Sequence, residues 1–147
     1  MGVRTIDDQH EVLVNIVTPE GQVYSHHAKR LVVRATDGDL GILPNHLPII
    51  ATLKIAEVRT LRADKADHED AIAVNGGYLE FRDNVANIIA NSAERARDID
   101  LRRARYAQER AEQQIAHAKE IHDSDDRRRA EVALARALNR INVYNDK

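Results

Sequence analysis

Two patterns of apolar and polar residues divide this chain. Up to about residue 93, short runs rich in β-branched residues alternate with turn residues, the mark of half-buried strands. The runs fall at 12–17, 22–24, 30–35, 48–53, 57–62, 71–74, 78–82 and 85–90, with Pro19-Glu20-Gly21 as one clear turn. Many short strands parted by turns predict an all-β antiparallel sandwich or barrel. Asn75-Gly76-Gly77 lies between two such runs and predicts a tight hairpin, because Asn-Gly suits the primed turns that match strand twist. The charged stretch 64–70 predicts an exposed loop between strands.

Beyond Glu94 there is no Gly or Pro, and Ala, Arg, Glu and Gln dominate, a helical composition. One helix is expected over about 100–121 and a second over about 125–142. Between them Asp123, Ser124 or Asp125 can cap the second helix, and so short a connection makes an antiparallel two-helix hairpin. The expected seam is rich in alanine: Ala104, Ala107, Ala111, Ile115 and Ala118 on the first helix, Ala130, Leu134, Ala137, Leu138 and Ile141 on the second. Alanines bury little area, whereas each ordered residue costs ~1–2 kcal/mol of backbone entropy. The hairpin is therefore expected to be marginal alone and to depend on the β domain, a ligand or a partner. The expected division is 1–93 for the β domain and 94–147 for the hairpin.

Composition narrows the function classes. The 147 residues contain no Cys, which excludes a disulfide scaffold, thiolate-ligated zinc and thiol catalysis, and fits a reducing compartment. A net charge of −2 gives no reason to expect nucleic acid. The first ten residues are polar, so no secretory leader is expected, and no apolar run approaches the ~20 residues that span a bilayer. The halves differ in charge: 1–93 hold nine basic and 13 acidic residues, whereas 94–147 hold 13 basic, eleven of them Arg, and 11 acidic. No P-loop or Gly-x-Ser-x-Gly elbow occurs, so an enzyme reading has no residues to carry it. His117 and His122 stand five apart, off the spacing that puts two ligands on one helical face, and no metal site is expected.

Residues 37–48 read Asp-Gly-Asp-Leu-Gly-Ile-Leu-Pro-Asn-His-Leu-Pro. Two glycines and two prolines among large apolar residues predict an ordered turn structure, with Gly41 free to take angles that a side chain opposes. The segment resembles the Gly-acidic-Leu-Gly-Ile-Leu-Pro-x-His-x-Pro signature of the epsilon subunits of bacterial F-type ATP synthases. Asn45 departs from the family's usual Gly, but Asn is the next most tolerant of left-handed geometry. The segments 12–21, 73–81, 100–103 and 129–140 extend the resemblance over nearly the whole chain.

On the second helix Arg129, Arg136 and Arg140 fall within an arc of about 40° at ~100° per residue. Arg129 can pair with Asp125 or Asp126, but Arg136 and Arg140 have no acid three or four residues away. Such a row is either a solvated face or a site for an external anion or carboxylate. Ile99-Asp100-Leu101-Arg102-Arg103-Ala104 resembles the Ile/Leu-Asp-x-x-Arg-Ala motif through which some bacterial epsilon subunits bind ATP. That resemblance implies an ATP site of Glu94, Ile99, Asp100, Arg103, Ala104, Arg136 and Arg140. Arg103, Arg136 and Arg140 would face phosphates, Glu94 and Asp100 would accept from adenine or ribose, and Ile99 and Ala104 would flank the ring. Asp100 also suits a helix N-cap, and the two roles can coexist.

The resemblance further implies a non-catalytic central-stalk subunit that binds the gamma subunit and sits on the c-subunit ring, coupling the head to proton-driven rotation. Asp39 and His46 would face the ring, although a loop-ordering hydrogen bond is an alternative role for His46. In the family the hairpin can fold down on the sandwich or extend into the catalytic alpha/beta hexamer, where it blocks ATP hydrolysis. ATP is then expected as a regulatory ligand rather than a required cofactor. The implied location is the cytoplasmic side of the cell membrane, peripheral and held only through the complex. Two alternatives stay open: a central-stalk subunit without ATP binding, and a free-standing sandwich-plus-hairpin adaptor or ligand sensor.

Overall fold

The computed structural model describes residues 10–146. Seven strands precede two helices: β1 (Val12–Thr18), β2 (Gly21–Ala35), β3 (Gly38–Ile42), β4 (Ile49–Arg62), β5 (Glu69–Arg82), β6 (Val85–Ala90) and β7 (Ala93–Arg95), then α1 (Leu101–Glu120) and α2 (Ser124–Asn145). The strands run β1-β6-β5-β4-β2-β3, and an additional β1–β2 pairing closes the first five into a barrel, leaving β3 as an edge strand beside β2. All pairings are antiparallel except β1 with β6. Closure removes most of the exposed edge that an open sheet would offer for aggregation.

Strict alternation in β1 explains its place, since Val12, Val14, Ile16 and Thr18 are buried and the residues between them are not. Inside the barrel these residues meet Tyr24, Leu31, Val33, Ile72, Leu79, Phe81 and Ile88, all nearly free of solvent. A second, smaller apolar cluster of Ala71, Ala73, Ala96, Ile99 and Val143, with Tyr144 against it, joins the sheet to the helices. The molecule is bipartite: one large core inside the barrel, one modest seam outside it.

Several local expectations give way to longer strands. The runs 22–24 and 30–35 are one strand, β2, which bends at two register shifts. Likewise 48–53 and 57–62 join as β4. The hairpin expected at Asn75-Gly76-Gly77 does not form, because these residues lie within β5, which keeps one unbroken register against β4. On its other edge β5 passes here from β7 to β6, with Asn75 and Gly76 bonded to the backbone at Ser92 and Asn91. The glycines serve close approach rather than a turn. A Cβ on Gly77 would sit 2.1 Å from the Ile89 carbonyl oxygen, at a φ of +133° that side chains oppose.

The segment 37–48 is only partly a turn. Its first half is the edge strand β3, and Gly41 has no need of left-handed geometry there. Asn45 does, at a φ of 68°, as its residue type allows.

Both helices start on the acids expected of caps. Asp100 accepts from Arg103 N at 3.2 Å, and Asp123 accepts from Asp126 N at 3.0 Å. Between the helices Ala104, Ala111 and Ala118 are buried on α1, and Ala130 and Ala137 on α2. Leu138 departs from the expected seam: it is 38% exposed and lines a groove with Ile55, Ala56 and Asn142, towards β4. α2 therefore carries two buried stripes, one for α1 and one for the barrel. The hairpin lies folded down, with α2 against β4 and β5.

Candidate functional site

A cleft of about 370 Å³ opens where β7, the start of α1 and the last turns of α2 meet. Glu94, Asp100, Arg103, Ala104, Ala107, Arg110 and Arg140 line it. That size suits part of a nucleotide or another small polar ligand. β7 places Glu94 within the sheet, so the cleft draws on the barrel and on both helices. Arg140 Nε donates to Glu94 Oε1 at 2.5 Å, which gives Arg140 the acid that α2 itself lacks. Asp100 uses Oδ1 for the cap, and Arg103 joins from the first turn of α1. Three guanidinium groups stand against two carboxylates, one already paired, so the cleft favours an anion.

The structure separates the expected ATP residues into two groups. Glu94, Asp100, Arg103, Ala104 and Arg140 converge on the cleft. Ile99 does not: it is buried in the seam with Ala71, Ala73, Ala96 and Val143, where it anchors the entry to α1. Arg136 also stands apart, exposed on a ridge of α2 with Asp125, Arg128, Arg129 and Val132. Arg129 does not take up the ion pair open to it with Asp125 or Asp126. The neighbouring Arg127 instead pairs with Glu131 at 3.0 Å.

Arg110 in the cleft, and Asn139 at the joint between hairpin and barrel, escaped the sequence reading. Arg110 lies seven residues after Arg103, two helical turns on and on the same face, so its spacing was available as a signal. Asn139 holds the hairpin to the barrel from a buried position. Its Nδ2 donates to Val74 O at 3.2 Å and to Asn75 Oδ1 at 3.3 Å, and Asn75 Nδ2 donates onward to Ser92 Oγ at 2.8 Å. The signal was a polar residue on the same stripe as Ala135 and Val143.

At the far end of β3, the loop that follows and the start of β4 present Leu43, Leu47 and Ile50, exposed to 57%, 78% and 75%. The loop is ordered despite this. His46 Nδ1 lies 2.6 Å from Leu47 O, its ring stands edge-on to Phe81, and Asn45 N donates to Asn84 Oδ1 at 2.6 Å. His46 thus fills the loop-ordering role. Asp39 lies on the exposed edge strand, in register with Arg34.

Inside the barrel wall Tyr24 hydroxyl donates to Asp70 Oδ2 at 2.6 Å and lies 2.8 Å from Thr60 Oγ1. Burial and the Asp70 carboxylate push the Tyr24 pKa up. Burial alone would raise Asp70, but hydrogen bonds from Tyr24, Arg62 and His68 prevail and hold it below the usual carboxylate range.

Comparison with known proteins assigns the family. The family model of the ATP synthase delta/epsilon chain beta-sandwich domain matches residues 11–96, and that of its long alpha-helix domain matches 97–145. The ATP synthase epsilon chain of Lacticaseibacillus casei (strain BL23) is 60% identical over 130 residues, covering 88% of this chain and 91% of its own. That of Latilactobacillus sakei subsp. sakei (strain 23K) is 56% identical over 139 residues, covering 95% and 96%. Among solved structures, a chain of the Euglena gracilis mitochondrial ATP synthase OSCP/F1/c-ring assembly shares the fold, with a TM-score of 0.72 at 18% identity over 92% of this chain and 81% of that one. With both domains matched and relatives aligned nearly end to end, the chain belongs to the ATP synthase delta/epsilon chain family, as a non-catalytic subunit of the epsilon type.

Proposed function

We propose that this subunit senses ATP through its hairpin and restrains ATP hydrolysis when ATP is scarce. The observation that carries this reading is the cleft itself, whose lining comes from the barrel, α1 and α2 at once. A ligand bound there ties all three together and favours the folded-down hairpin. Arg103, Arg110 and Arg140 would take the phosphates, with Arg140 leaving Glu94 to do so. Asp100 and the freed Glu94 would accept from the base or sugar. Ligand at ~100 times its dissociation constant adds about 2.7 kcal/mol to the state that binds it, enough to switch a weakly docked hairpin. When ATP falls, the hairpin would release and extend into the catalytic alpha/beta hexamer.

The barrel would dock on the gamma subunit and the c-subunit ring. The apolar, ordered loop bearing His46 is the face suited to that contact, with Asp39 on the adjoining strand. No helix among the described residues is long and apolar enough to cross a membrane, so membrane contact would run through the complex, on the cytoplasmic side.

Arg136 supports a second use of the same helix. Exposed beside Arg128 and Arg129, it is free to pair with acidic residues of the catalytic subunits once the hairpin extends. The two readings separate by experiment. Calorimetric titration of the chain with ATP should give saturable heat that is lost in an Arg103→Ala, Arg140→Ala double variant and kept in Arg136→Ala. In the assembled enzyme, Arg136→Ala should relieve inhibition. Absence of heat, or equal affinity in the double variant, overturns ATP sensing.

A further inference from the structure

The geometry points to a second anion site, on the flank of the barrel, for a small polyvalent oxyanion of about pyrophosphate size. It is a recessed cleft of about 450 Å³. β2 supplies His26, β4 supplies Arg59 and Arg62, and the β4–β5 loop supplies Lys65 and His68. Arg95 comes from β7, and Arg97 from the short turn that leads into α1. It shares no residue with the cleft around Arg140, and nothing in the proposed ATP mechanism uses it.

Three carboxylates also line it, and each is engaged. Asp70 takes the Tyr24 hydroxyl at 2.6 Å, Arg62 at 3.1 Å and His68 at 3.0 Å. Glu69 takes Arg59 at 3.0 Å and Arg30 at 3.2 Å. Asp146 lies 3.8 Å from Arg59. Arg62 is bonded as well to Asp64, at 2.7 and 2.8 Å.

The remaining cations have no such partner. Among the described residues neither Arg95 nor Lys65 has a carboxylate within ion-pair reach, and Arg97 has only Asp98 at 4.0 Å on an exposed surface. Arg95 is held in place by a face contact, with its guanidinium carbon 5.3 Å from the Tyr24 ring centroid. It is thus preorganised without being neutralised. The local field agrees with this: burial lowers the His26 pKa, and the Arg62 and Arg95 charges lower it further. An oxyanion placed among Lys65, Arg95 and Arg97 would satisfy three donors left open. It would also fasten the 95–97 segment, where barrel passes into hairpin, to the β4–β5 loop.

The probe is inorganic pyrophosphate, titrated into the full chain carrying Arg103→Ala and Arg140→Ala, so that the other cleft is silent. Amide NMR shifts should cluster at 26, 62–70 and 95–97, and the His26 imidazole pKa should rise on binding. Adding Arg95→Gln and Lys65→Gln should weaken binding at least about tenfold, as expected for loss of charge-assisted hydrogen bonds. Gln removes the charge while keeping a polar, unbranched side chain, and the unchanged spectrum of the barrel verifies folding. Lys65→Glu alone, on an exposed loop, should weaken binding in the same direction. Shifts absent from this cleft, or an affinity indifferent to these substitutions, overturn the proposal. Neither result bears on ATP binding at Arg140.

Discussion

Replacing Asn139 by Ala should free the hairpin while leaving the barrel folded. In the structure its carboxamide makes two buried hydrogen bonds, to Val74 O and Asn75 Oδ1, across the joint between α2 and β5. Each bond is worth about 1 kcal/mol net, and a buried acceptor left without a donor costs ~1–3 kcal/mol. The loss is at least about 2 kcal/mol, or at least about 30-fold in the docking equilibrium. The other fastenings are of similar size: ~1.5–3 kcal/mol for the fully buried Val143 and up to ~1 kcal/mol for the half-exposed Glu94–Arg140 pair. Removing Asn139 therefore takes away a large share of what holds α2 down. Hydrogen exchange by mass spectrometry reads this directly. Protection across 124–145 should fall at least tenfold, whereas β4 and β5 should keep theirs. Unchanged protection in α2 would refute the assignment of Asn139 as a main fastening.

Three further outcomes follow from named contacts. Gly77→Ala should destabilise the barrel by about 3 kcal/mol or more, read by urea unfolding, because the new Cβ meets the Ile89 carbonyl in a conformation that already opposes it. Asp100→Ala should cost α1 about 0.5–2 kcal/mol through loss of the cap, read as faster amide exchange in its first turn. Because Asp70 titrates below its unfolded value of about 3.9, its contribution is intact above that pH and drains away as pH falls through the lower folded value. Asp70→Asn should thus be less stable near neutrality, with Arg62 stripped of one partner, and should show a shallower loss of stability below about pH 4 in urea melts.

What the sequence disclosed followed the range of the forces involved. Strand alternation in β1, the caps at Asp100 and Asp123 and the alanine seam are local patterns, and each could be read from neighbours a few residues apart. Asn75-Gly76-Gly77 carried the same local signature as a hairpin. Its real setting depends on β6 and β7, which pair beside it from more than ten residues further on, and no local rule encodes that choice. Leu138 was misplaced because α2 has two buried stripes rather than one, so a single apolar face put the leucine on the α1 side. Arg136 and Arg140 share a helical face, but one turn along α2 separates them, and only Arg140 reaches the cleft. Within the site, the acids and arginines of the α1 motif were legible from their order. The Glu94–Arg140 pair and the Asn139 bridge were not, because they join residues 46 and 64 or more positions apart.

The most direct test measures the hairpin's posture against ATP. The chain has no Cys, so Glu80→Cys on β5 and Gln113→Cys on α1, both exposed, accept spin labels cleanly. With saturating ATP, pulsed electron resonance should give one narrow distance distribution matching the folded-down structure. Without ATP a second, longer population should grow, and Arg103→Ala with Arg140→Ala should show it at any ATP concentration. Identical distributions with and without ATP would contradict the account.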